Sequence, residues 1–342
     1  MKKNWLAPGY YPDFRCKADH CRNSCCRMWR IPVSREEYNR LITMECSESL
    51  NECIQNAFVV PEMADDSSFR YVSFNWLGDC RIMKDGLCQI QKEKGEEYLP
   101  KICRLYPRSF KCVNGTNIVS CSTACESVVE MIYETDCLSI VQVNTTGEAQ
   151  FNYTVEKEDA KQIKQIQDIV RNRDISLVES IEEICRLINK SEFEKDYNAD
   201  TDYVRNALDL LEKISSNNYY LKDLYEKLSL RYSDNSLYYD DCKVFEDKYP
   251  DWMNFFERLI NNSMIYKLFP FVDKRFEKTE AYKGLCCTYG LLRLVCTGAV
   301  YNSDNYDDLI DAVSYLFHVI EHTAFYYNAS IMVDNAAVML KL

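Results

Sequence analysis

The sequence of 342 residues lacks the glycine-rich loops that bind nucleotides. Its nine glycines are far apart, and neither GxGxxG nor GxxxxGK occurs. Both patterns serve to bring backbone N–H groups against phosphates. Their absence excludes the glycine-rich loop of Rossmann folds, including the Rossmann-type methyltransferase loop, and the P-loop.

The sequence also lacks the common short-spaced metal and redox motifs. No Cys-x-x-Cys pair occurs, which excludes the zinc ribbon, the zinc knuckle and the thioredoxin-type redox pair. The CxxxCxxC signature of radical enzymes fails because Met28 stands where its third cysteine is required. With three histidines in the chain, a metal site built mainly from histidine is not expected.

Long apolar runs are missing as well. No stretch approaches the ~20 uninterrupted apolar residues of a membrane span. Near the start, Pro8, Gly9, Pro12 and Asp13 interrupt the apolar run before it reaches the length of a signal-peptide core. We therefore expect a soluble, cytoplasmic protein. Because disulfides are rare in a reducing compartment, the 18 cysteines indicate metal ligation or redox chemistry.

The cysteines and the charges are both unevenly distributed. Thirteen of the 18 cysteines precede residue 138, and residues 1–137 hold 18 basic and 19 acidic side chains. The remainder holds 23 basic and 34 acidic side chains, so nearly all of the net charge of −12 lies there. An acidic region repels nucleic acid and suits a basic, lysine-bearing protein surface, although a solubilising acidic face is the commoner explanation.

The two regions also differ in predicted structure, and the predicted fold class is mainly α. Residues 1–140 are expected to form a cysteine-rich, metal-binding domain with short helices and a small β-hairpin. The capping-box pair Ser34 and Glu37 predicts a helix start, and Asn114-Gly115 between β-prone runs predicts the hairpin turn. In residues 141–342, a strand-like "AQFNYTV" precedes segments such as "SLVESIEEICRLINK", whose apolar residues recur three and four apart. This pattern predicts an acidic α-helical bundle domain.

The cysteines before residue 126 form three groups. Their spacing is Cys16-x4-Cys21-x3-Cys25-Cys26, then Cys80-x7-Cys88-x14-Cys103, then Cys112 and Cys121-x3-Cys125. Iron–sulfur clusters need soft thiolate ligands on a wrapped, irregular backbone, and uneven spacing suits them better than it suits structural zinc. The alternative is that these are buried free thiols acting as small apolar side chains. Two adjacent cysteines reach one metal with difficulty, so we expect Cys25 and Cys26 to point to different places.

Three segments of the first 135 residues carry a recognisable pattern: "YPDFRCKADHCRNSCCRMWRIPVSREEY", "DGLCQIQKEKGEEYLPKICRLYPRSF" and "SCSTACESV". Their order and content resemble the flagellin lysine-N-methylase family, which is related in its cysteine pattern to small zinc- or iron-chelating CxxxCC proteins. The resemblance implies a [4Fe-4S] enzyme that transfers a methyl group from S-adenosylmethionine to lysine ε-amines of flagellin. By position, the implied metal ligands are Cys16, Cys21, Cys25, Cys26, Cys80, Cys88, Cys103 and Cys121.

The chain departs from the family pattern at a few positions. The family usually reads Cys-Pro-Phe-Leu where this sequence has Cys80-Arg81-Ile82-Met83, and Cys112 and Cys125 have no family counterpart. Without a nucleotide loop, an iron that lacks a fourth protein thiolate could anchor the amino and carboxylate groups of S-adenosylmethionine. Arg104 and Arg108 are candidates to hold that carboxylate, or else to offset the negative charge of a thiolate-ligated cluster.

A lysine must lose its proton before it can be methylated, because the ε-ammonium has no lone pair. The segment "FHVIEHTAFYY" near the end offers Glu321 and His322 as general-base candidates. His318 and His322 lie four apart, but two histidines without a third ligand do not predict a metal site. Two alternatives stay open: a non-catalytic iron–sulfur or zinc sensor, and a structural-metal scaffold whose helices bind a partner.

Overall fold

Most of the chain is helical in the computed structural model, which describes residues 3–27, 31–76, 78–190, 202–216 and 218–342. The predicted mainly α fold class is confirmed. The chain forms a small unit, Arg15–Arg108, and a large unit, Met1–Phe14 together with Ser109–Leu342. The predicted division into domains at residue 140 stays a prediction. Within the described ranges, no helix has both the length and the apolar character needed to cross a membrane.

The secondary-structure elements are numbered here in chain order. The strands are β1 (Lys3–Pro8), β2 (Pro32–Val33), β3 (Phe58–Val59), β4 (Arg70–Val72), β5 (Met83–Lys84), β6 (Leu87–Cys88), β7 (Arg108–Val113), β8 (Thr116–Cys121), β9 (Ile140–Thr145) and β10 (Phe151–Tyr153). The first helices are α1 (Arg35–Ile42), α2 (Glu48–Gln55), α3 (Gln89–Lys94), α4 (Lys101–Leu105), α5 (Glu126–Glu134), α6 (Lys157–Val170) and α7 (Leu177–Ile188). The later helices are α8 (Tyr203–Ser215), α9 (Tyr219–Arg231), α10 (Asn235–Lys248), α11 (Trp252–Lys267), α12 (Ala281–Val300), α13 (Tyr306–His322) and α14 (Phe325–Met332).

The small unit is built from short elements, as its sequence predicted. The capping box at α1 is confirmed: Ser34 Oγ accepts from Glu37 N, and the Glu37 carboxylate accepts from Ser34 N at 2.9 Å. Helix α3 ends at Gly95, whose φ is 97°, and α4 begins directly after Pro100. Strands β2, β4 and β3 form a three-stranded antiparallel sheet. The core of this unit includes Leu41, Leu50, Ile54, Val72 and Ile90.

The large unit contains a five-stranded sheet with the order β10-β7-β8-β1-β9. The predicted hairpin is present between β7 and β8, and Asn114 and Gly115 both have the positive φ (47° and 81°) that a tight two-residue turn requires. This hairpin forms part of the five-stranded sheet. Strand β1 pairs parallel with β8 and antiparallel with β9, and it buries Trp5 and Ala7. Local sequence does not reveal these pairings because the partners are more than 100 residues apart.

The helices predicted in the second half are confirmed, and α12 lies at their centre. Nearly every residue from Ala281 to Val300 is buried, which explains why this segment is apolar on all sides. It packs against α7, α8, α10, α13 and α14. Helix α11 contacts β8, α5 and α13, and α13 also contacts α5, so these four elements form one packed group.

Candidate functional site

A pocket within the small unit is lined by five cysteines: Cys25, Cys26, Cys80, Cys88 and Cys103. Apolar side chains form most of the remaining lining, among them Ile31, Val72, Ile82, Ile90 and Leu99. The pocket contains about 680 Å³ of empty space, part of it open to solvent. Among the residues that the structure describes, no carboxylate or imidazole lines it. Thiols are therefore its main metal-binding groups, and Gln91 and Tyr106 are the other polar side chains of the lining.

Backbone pairing brings the first two cysteine-bearing segments together. Cys80 N donates to Cys26 O at 2.8 Å. The neighbouring residues strengthen this contact, because Arg27 Nε lies 2.7 Å from Asp79 Oδ1. The pairing fixes Cys26 beside Cys80 although the two are far apart in sequence.

A tight turn and two helix starts place the other pocket cysteines. Asp85 and Gly86 have φ angles of 53° and 78°, and the turn they form sets Cys88 opposite Met83. Cys88 then precedes α3, and although burial raises the pKa of its thiol, the backbone N–H groups of the first turn partly offset that rise. Cys103 lies within α4. The Asp-Gly dipeptide is a hairpin signal that the sequence interpretation overlooked.

The pocket thiols influence one another's ionisation. A hydrogen bond from Cys25 lowers the pKa of Cys26 to about 7. Burial raises the pKa of Cys80 to about 12, and the nearby Cys26 and Cys88 raise it further. Burial also raises the pKa values of Cys88 and Cys103, with added repulsion from the other pocket thiolates. The thiols can therefore ionise together only with a cationic partner in the pocket.

The described residues contain no group of three or more His, Cys, Asp or Glu side chains placed to hold one metal ion. A multi-iron cluster makes a different demand, because each of its thiolates binds a different iron and the sulfurs therefore stand further apart. Five thiols around one apolar pocket meet that demand in number and in donor type.

The large unit holds a second candidate, a buried polar cluster around the end of α13. Ser122 Oγ lies 2.6 Å from Glu321 Oε2 and 2.7 Å from His322 Nε2. Thr123 N donates to the same Glu321 oxygen at 2.9 Å, and Ala124 N donates to Ser122 Oγ at 3.2 Å. Ser122 and Glu321 are buried, whereas His322 is partly exposed.

Asn262 of α11 holds the loop that carries Ser122. Its amide nitrogen donates to Cys121 O at 3.0 Å and to Thr123 Oγ1 at 2.9 Å. Its amide oxygen accepts from the Tyr10 hydroxyl at 2.6 Å. All three groups are buried, so the loop between β8 and α5 has a fixed position relative to α11.

Two lysines and several buried titratable groups surround Glu321. Lys267 Nζ donates to Glu321 O at 3.1 Å, and Lys111 Nζ donates to Tyr266 O and lies 4.8 Å from the centre of the Tyr266 ring. Burial raises the pKa of Glu321, lowers that of Lys111 to about 7 and lowers that of His322 well below its usual value. His322 is therefore a neutral proton acceptor at neutral pH.

Residues 150–335 match the family model of the FliB lysine N-methylase C-terminal domain. The chain belongs to this family. The matched residues include Glu321 and His322, whereas the cysteine-lined pocket lies outside them.

Two curated relatives of this FliB-family chain are lysine-N-methylases from Salmonella choleraesuis (strain SC-B67) and Salmonella typhimurium (strain LT2). Each is 24% identical over 127 residues, which is 36% of this chain. The match covers 31% of each relative, so the chain spans about a third of their length. No solved structure matches the chain.

The predicted metal ligands of this FliB-family chain do not all lie in one place. Cys25, Cys26, Cys80, Cys88 and Cys103 share the pocket. Cys16 and Cys21 belong to the same unit but do not line it, and the exposed Cys16 accepts a hydrogen bond from Ala18 N at 3.4 Å. Cys121 is fully buried in the core of the large unit. The ligand roles of these three cysteines stay predictions.

The two arginines predicted to bind the carboxylate of S-adenosylmethionine lie on either side of the short connection between α4 and β7. Arg104 is exposed on α4, directly after Cys103, and Arg108 is half-buried at the start of β7. Neither lines the cysteine pocket. Their proposed binding of a carboxylate stays a prediction.

Sequence reasoning missed Ser122, which connects the two predicted base candidates. Ser122 lies inside "SCSTAC", a segment in which the sequence pattern pointed to Cys121 and Cys125 rather than to the serine. Glu321 and His322 come from the other end of the chain, about 200 residues away. No local sequence pattern predicts a contact between residues so far apart.

Proposed function

We propose that this protein is a lysine N-methyltransferase that transfers a methyl group from S-adenosylmethionine to lysine ε-amines of flagellin and depends on a [4Fe-4S] cluster. Membership of the FliB lysine N-methylase family carries the proposal. Both curated relatives are named as lysine-N-methylases, which supports the same reaction class. Flagellin as the substrate rests on the cysteine segments that resemble the flagellin methylases. The acidic character of the chain, with a net charge of −12, suits a lysine-bearing partner.

The pocket cysteines are the residues that would hold the cluster. Cys80, Cys88 and Cys103, with Cys25 or Cys26 as a further candidate, provide enough thiolates for a [4Fe-4S] cluster, and no carboxylate or imidazole competes with them among the described lining residues. The apolar walls suit a redox-active group that must be shielded from water. If three of these thiolates held the cluster, it would supply an iron with an open position for the amino and carboxylate groups of S-adenosylmethionine.

The protein must also present the substrate lysine as a neutral amine. In the transfer, the amine nitrogen bonds to the methyl carbon while the C–S bond breaks and its electron pair stays on sulfur, giving S-adenosylhomocysteine. The ammonium proton has to leave first, and its unperturbed pKa is about 10.4. Glu321 and His322 are the base candidates, and burial keeps the His322 imidazole neutral and able to accept a proton.

Arg104 is proposed to bind the carboxylate of S-adenosylmethionine, with Arg108 beside it. Arg104 is exposed and directly follows the pocket residue Cys103, so its guanidinium has freedom to turn toward a ligand. A guanidinium pairs with a carboxylate through two parallel hydrogen bonds, which a lysine cannot reproduce. Arg104→Lys should therefore raise the KM for S-adenosylmethionine without changing the iron content.

Transfer of a labelled methyl group from S-adenosylmethionine to flagellin tests the proposed function. The protein is purified and its cluster reconstituted without oxygen, and iron and sulfide are measured on the same sample. Label on flagellin lysines supports the proposal. Label that never appears, with an intact cluster and cognate flagellin, contradicts it.

A non-catalytic metal-binding protein is the second candidate, because a pocket with five thiols also suits Zn²⁺. Such a sensor or scaffold would use the same cysteines. Colourless protein that contains zinc, has no acid-labile sulfide and transfers no methyl group would favour this candidate. Brown protein with iron and sulfide in equal amounts would exclude zinc as the sole metal.

A further inference from the structure

The buried cluster around Ser122 assigns different roles to the two base candidates. Glu321 is 4% exposed, and its Oε2 already accepts from Ser122 Oγ and from Thr123 N. His322 is the last residue of α13 and is partly exposed. Of the three side chains Ser122, Glu321 and His322, the imidazole is thus the one that a substrate can reach.

With Glu321 ionised, the hydrogen bonds also assign the proton of the neutral His322 ring. Ser122 has a single hydroxyl proton, and it points to Glu321 Oε2 at 2.6 Å. Ser122 Oγ must therefore act as the acceptor in its 2.7 Å contact with His322 Nε2, so Nε2 carries a hydrogen. In the neutral ring, Nδ1 is then the basic atom. The serine hydroxyl links a buried carboxylate to the imidazole, as an orienting group does for a general base.

We propose that Ser122 is a positioning residue for methyl transfer: its hydroxyl joins Glu321 to His322 and holds the His322 ring as the acceptor of the substrate lysine's proton. This inference rests on the proposed function and deepens it, since it names which candidate accepts the proton and what holds it. Glu321 acts through Ser122 and does not touch the substrate.

The surroundings of the cluster suit this role. Lys267, through its contact with Glu321 O, and His318, whose ring centre is 6.0 Å from that of His322, both oppose a positive charge on the His322 ring. The Tyr266 ring stands 5.8 Å from His322 and restricts its rotation. Together with burial, these groups keep the ring neutral before the substrate binds, so the role of His322 rests on its contact with Ser122.

The test compares Ser122→Ala with Ser122→Thr, which keeps the hydroxyl, in the anaerobic methyl-transfer assay with flagellin. Because general-base catalysis typically contributes ~100-fold to ~10,000-fold, losing the orienting hydroxyl should lower kcat by ~10-fold to ~100-fold. KM for flagellin should stay close to that of the wild type. Ser122→Thr should recover most of the lost kcat.

A matched control separates this role from a structural one. Ser314 is also a fully buried serine and lies on α13, where its hydroxyl donates to Asp311 O. Ser314→Ala should keep the wild-type kcat. If Ser122 had a purely structural role, Ser122→Ala would lower thermal stability but would not lower kcat while leaving KM unchanged.

Imidazole nitrogen NMR provides a readout that does not depend on activity. The chain has three histidines, so selective ¹⁵N-histidine labelling gives few signals, and His20→Gln and His318→Gln variants assign them. His322 in the wild type should be neutral with its proton on Nε2. In Ser122→Ala this single tautomer should be lost, while Ser314→Ala should retain it.

The outcomes separate the inference from the proposed function. If the wild type is active and Ser122→Ala keeps both the wild-type kcat and the wild-type His322 tautomer, the inference alone is overturned. Wild type without any methyl transfer would overturn the proposed function and, with it, the catalytic role of His322. If Ser122→Ala does not fold, Glu321→Gln tests the same link. A wild-type kcat in that variant would likewise overturn the inference.

Discussion

Replacing Asn262 by alanine should destabilise the protein, because this side chain holds the loop that carries Ser122. Asn262 is fully buried and makes three hydrogen bonds, to Cys121 O, Thr123 Oγ1 and the Tyr10 hydroxyl. Truncation leaves those groups without this partner inside the core. The perturbation therefore tests whether the polar network, rather than apolar contact alone, fixes the loop.

The size of the effect follows from what the truncation leaves behind. A buried polar group without a hydrogen bond costs about 1–3 kcal/mol. The Tyr10 hydroxyl can turn to Cys121 O, which already lies 3.5 Å away, and this would reduce the loss. We expect the free energy of unfolding to fall by about 3 kcal/mol. With an unfolding entropy of about 2 cal/mol/K per residue, Tm should fall by ~4 °C.

The neighbouring Asn261 provides a matched control. It is 1% exposed, lies on the same helix and has an amide nitrogen that makes no hydrogen bond among the described residues. Asn261→Ala removes the same atoms but no bond of that nitrogen, so its Tm should fall by only ~1 °C. Thermal unfolding followed by circular dichroism measures both variants. Equal losses in the two variants would refute the reasoning, because they would show that lost volume, not lost hydrogen bonds, sets the effect.

Three further predictions concern the pocket, the helix packing and the pH dependence. Cys103→Ser should lower the iron and sulfide content. Cys53→Ser, which replaces a half-buried cysteine outside the pocket, should leave both contents unchanged. Equal contents in the two variants would contradict the assignment of the pocket as the cluster site. Gly284→Ala should destabilise by about 1–3 kcal/mol in urea unfolding because the new Cβ overlaps the Tyr326 ring, and an unchanged midpoint would show that the ring moves freely. Burial lowers the pKa of Lys111 to about 7. The unfolded chain then binds more protons between pH 7 and 10, so the free energy of unfolding should rise with pH across this range. Lys111→Met should flatten that rise, and an equally steep profile would refute the assignment.

Local patterns predicted the helices and their ends. The Ser34 capping box and the Asn114-Gly115 turn each depend on residues within four positions of one another, and both are present. The Asp85-Gly86 turn carried the same kind of signal and was overlooked. Such features can be predicted from the sequence because the interactions that stabilise them join residues close in sequence.

Long-range contacts could not be predicted in the same way. The pairing of strand β1 with β8 and the contact of Ser122 with Glu321 both join residues that are more than 100 positions apart in sequence. Sequence spacing likewise grouped Cys16 and Cys21 with Cys25 and Cys26, but only the latter pair lines the pocket, because the bond between Cys26 O and Cys80 N selects that end of the segment. Which cysteines meet is thus decided by a backbone pairing that sequence spacing does not show.

Methyl transfer to flagellin by anaerobically reconstituted protein is the most direct measurement of the proposed activity. Label from S-adenosylmethionine should appear on flagellin lysines, and it should be lost when the cluster is removed or when Cys103→Ser replaces the wild type. Flagellin that stays unlabelled beside protein with full iron and sulfide content would contradict the account.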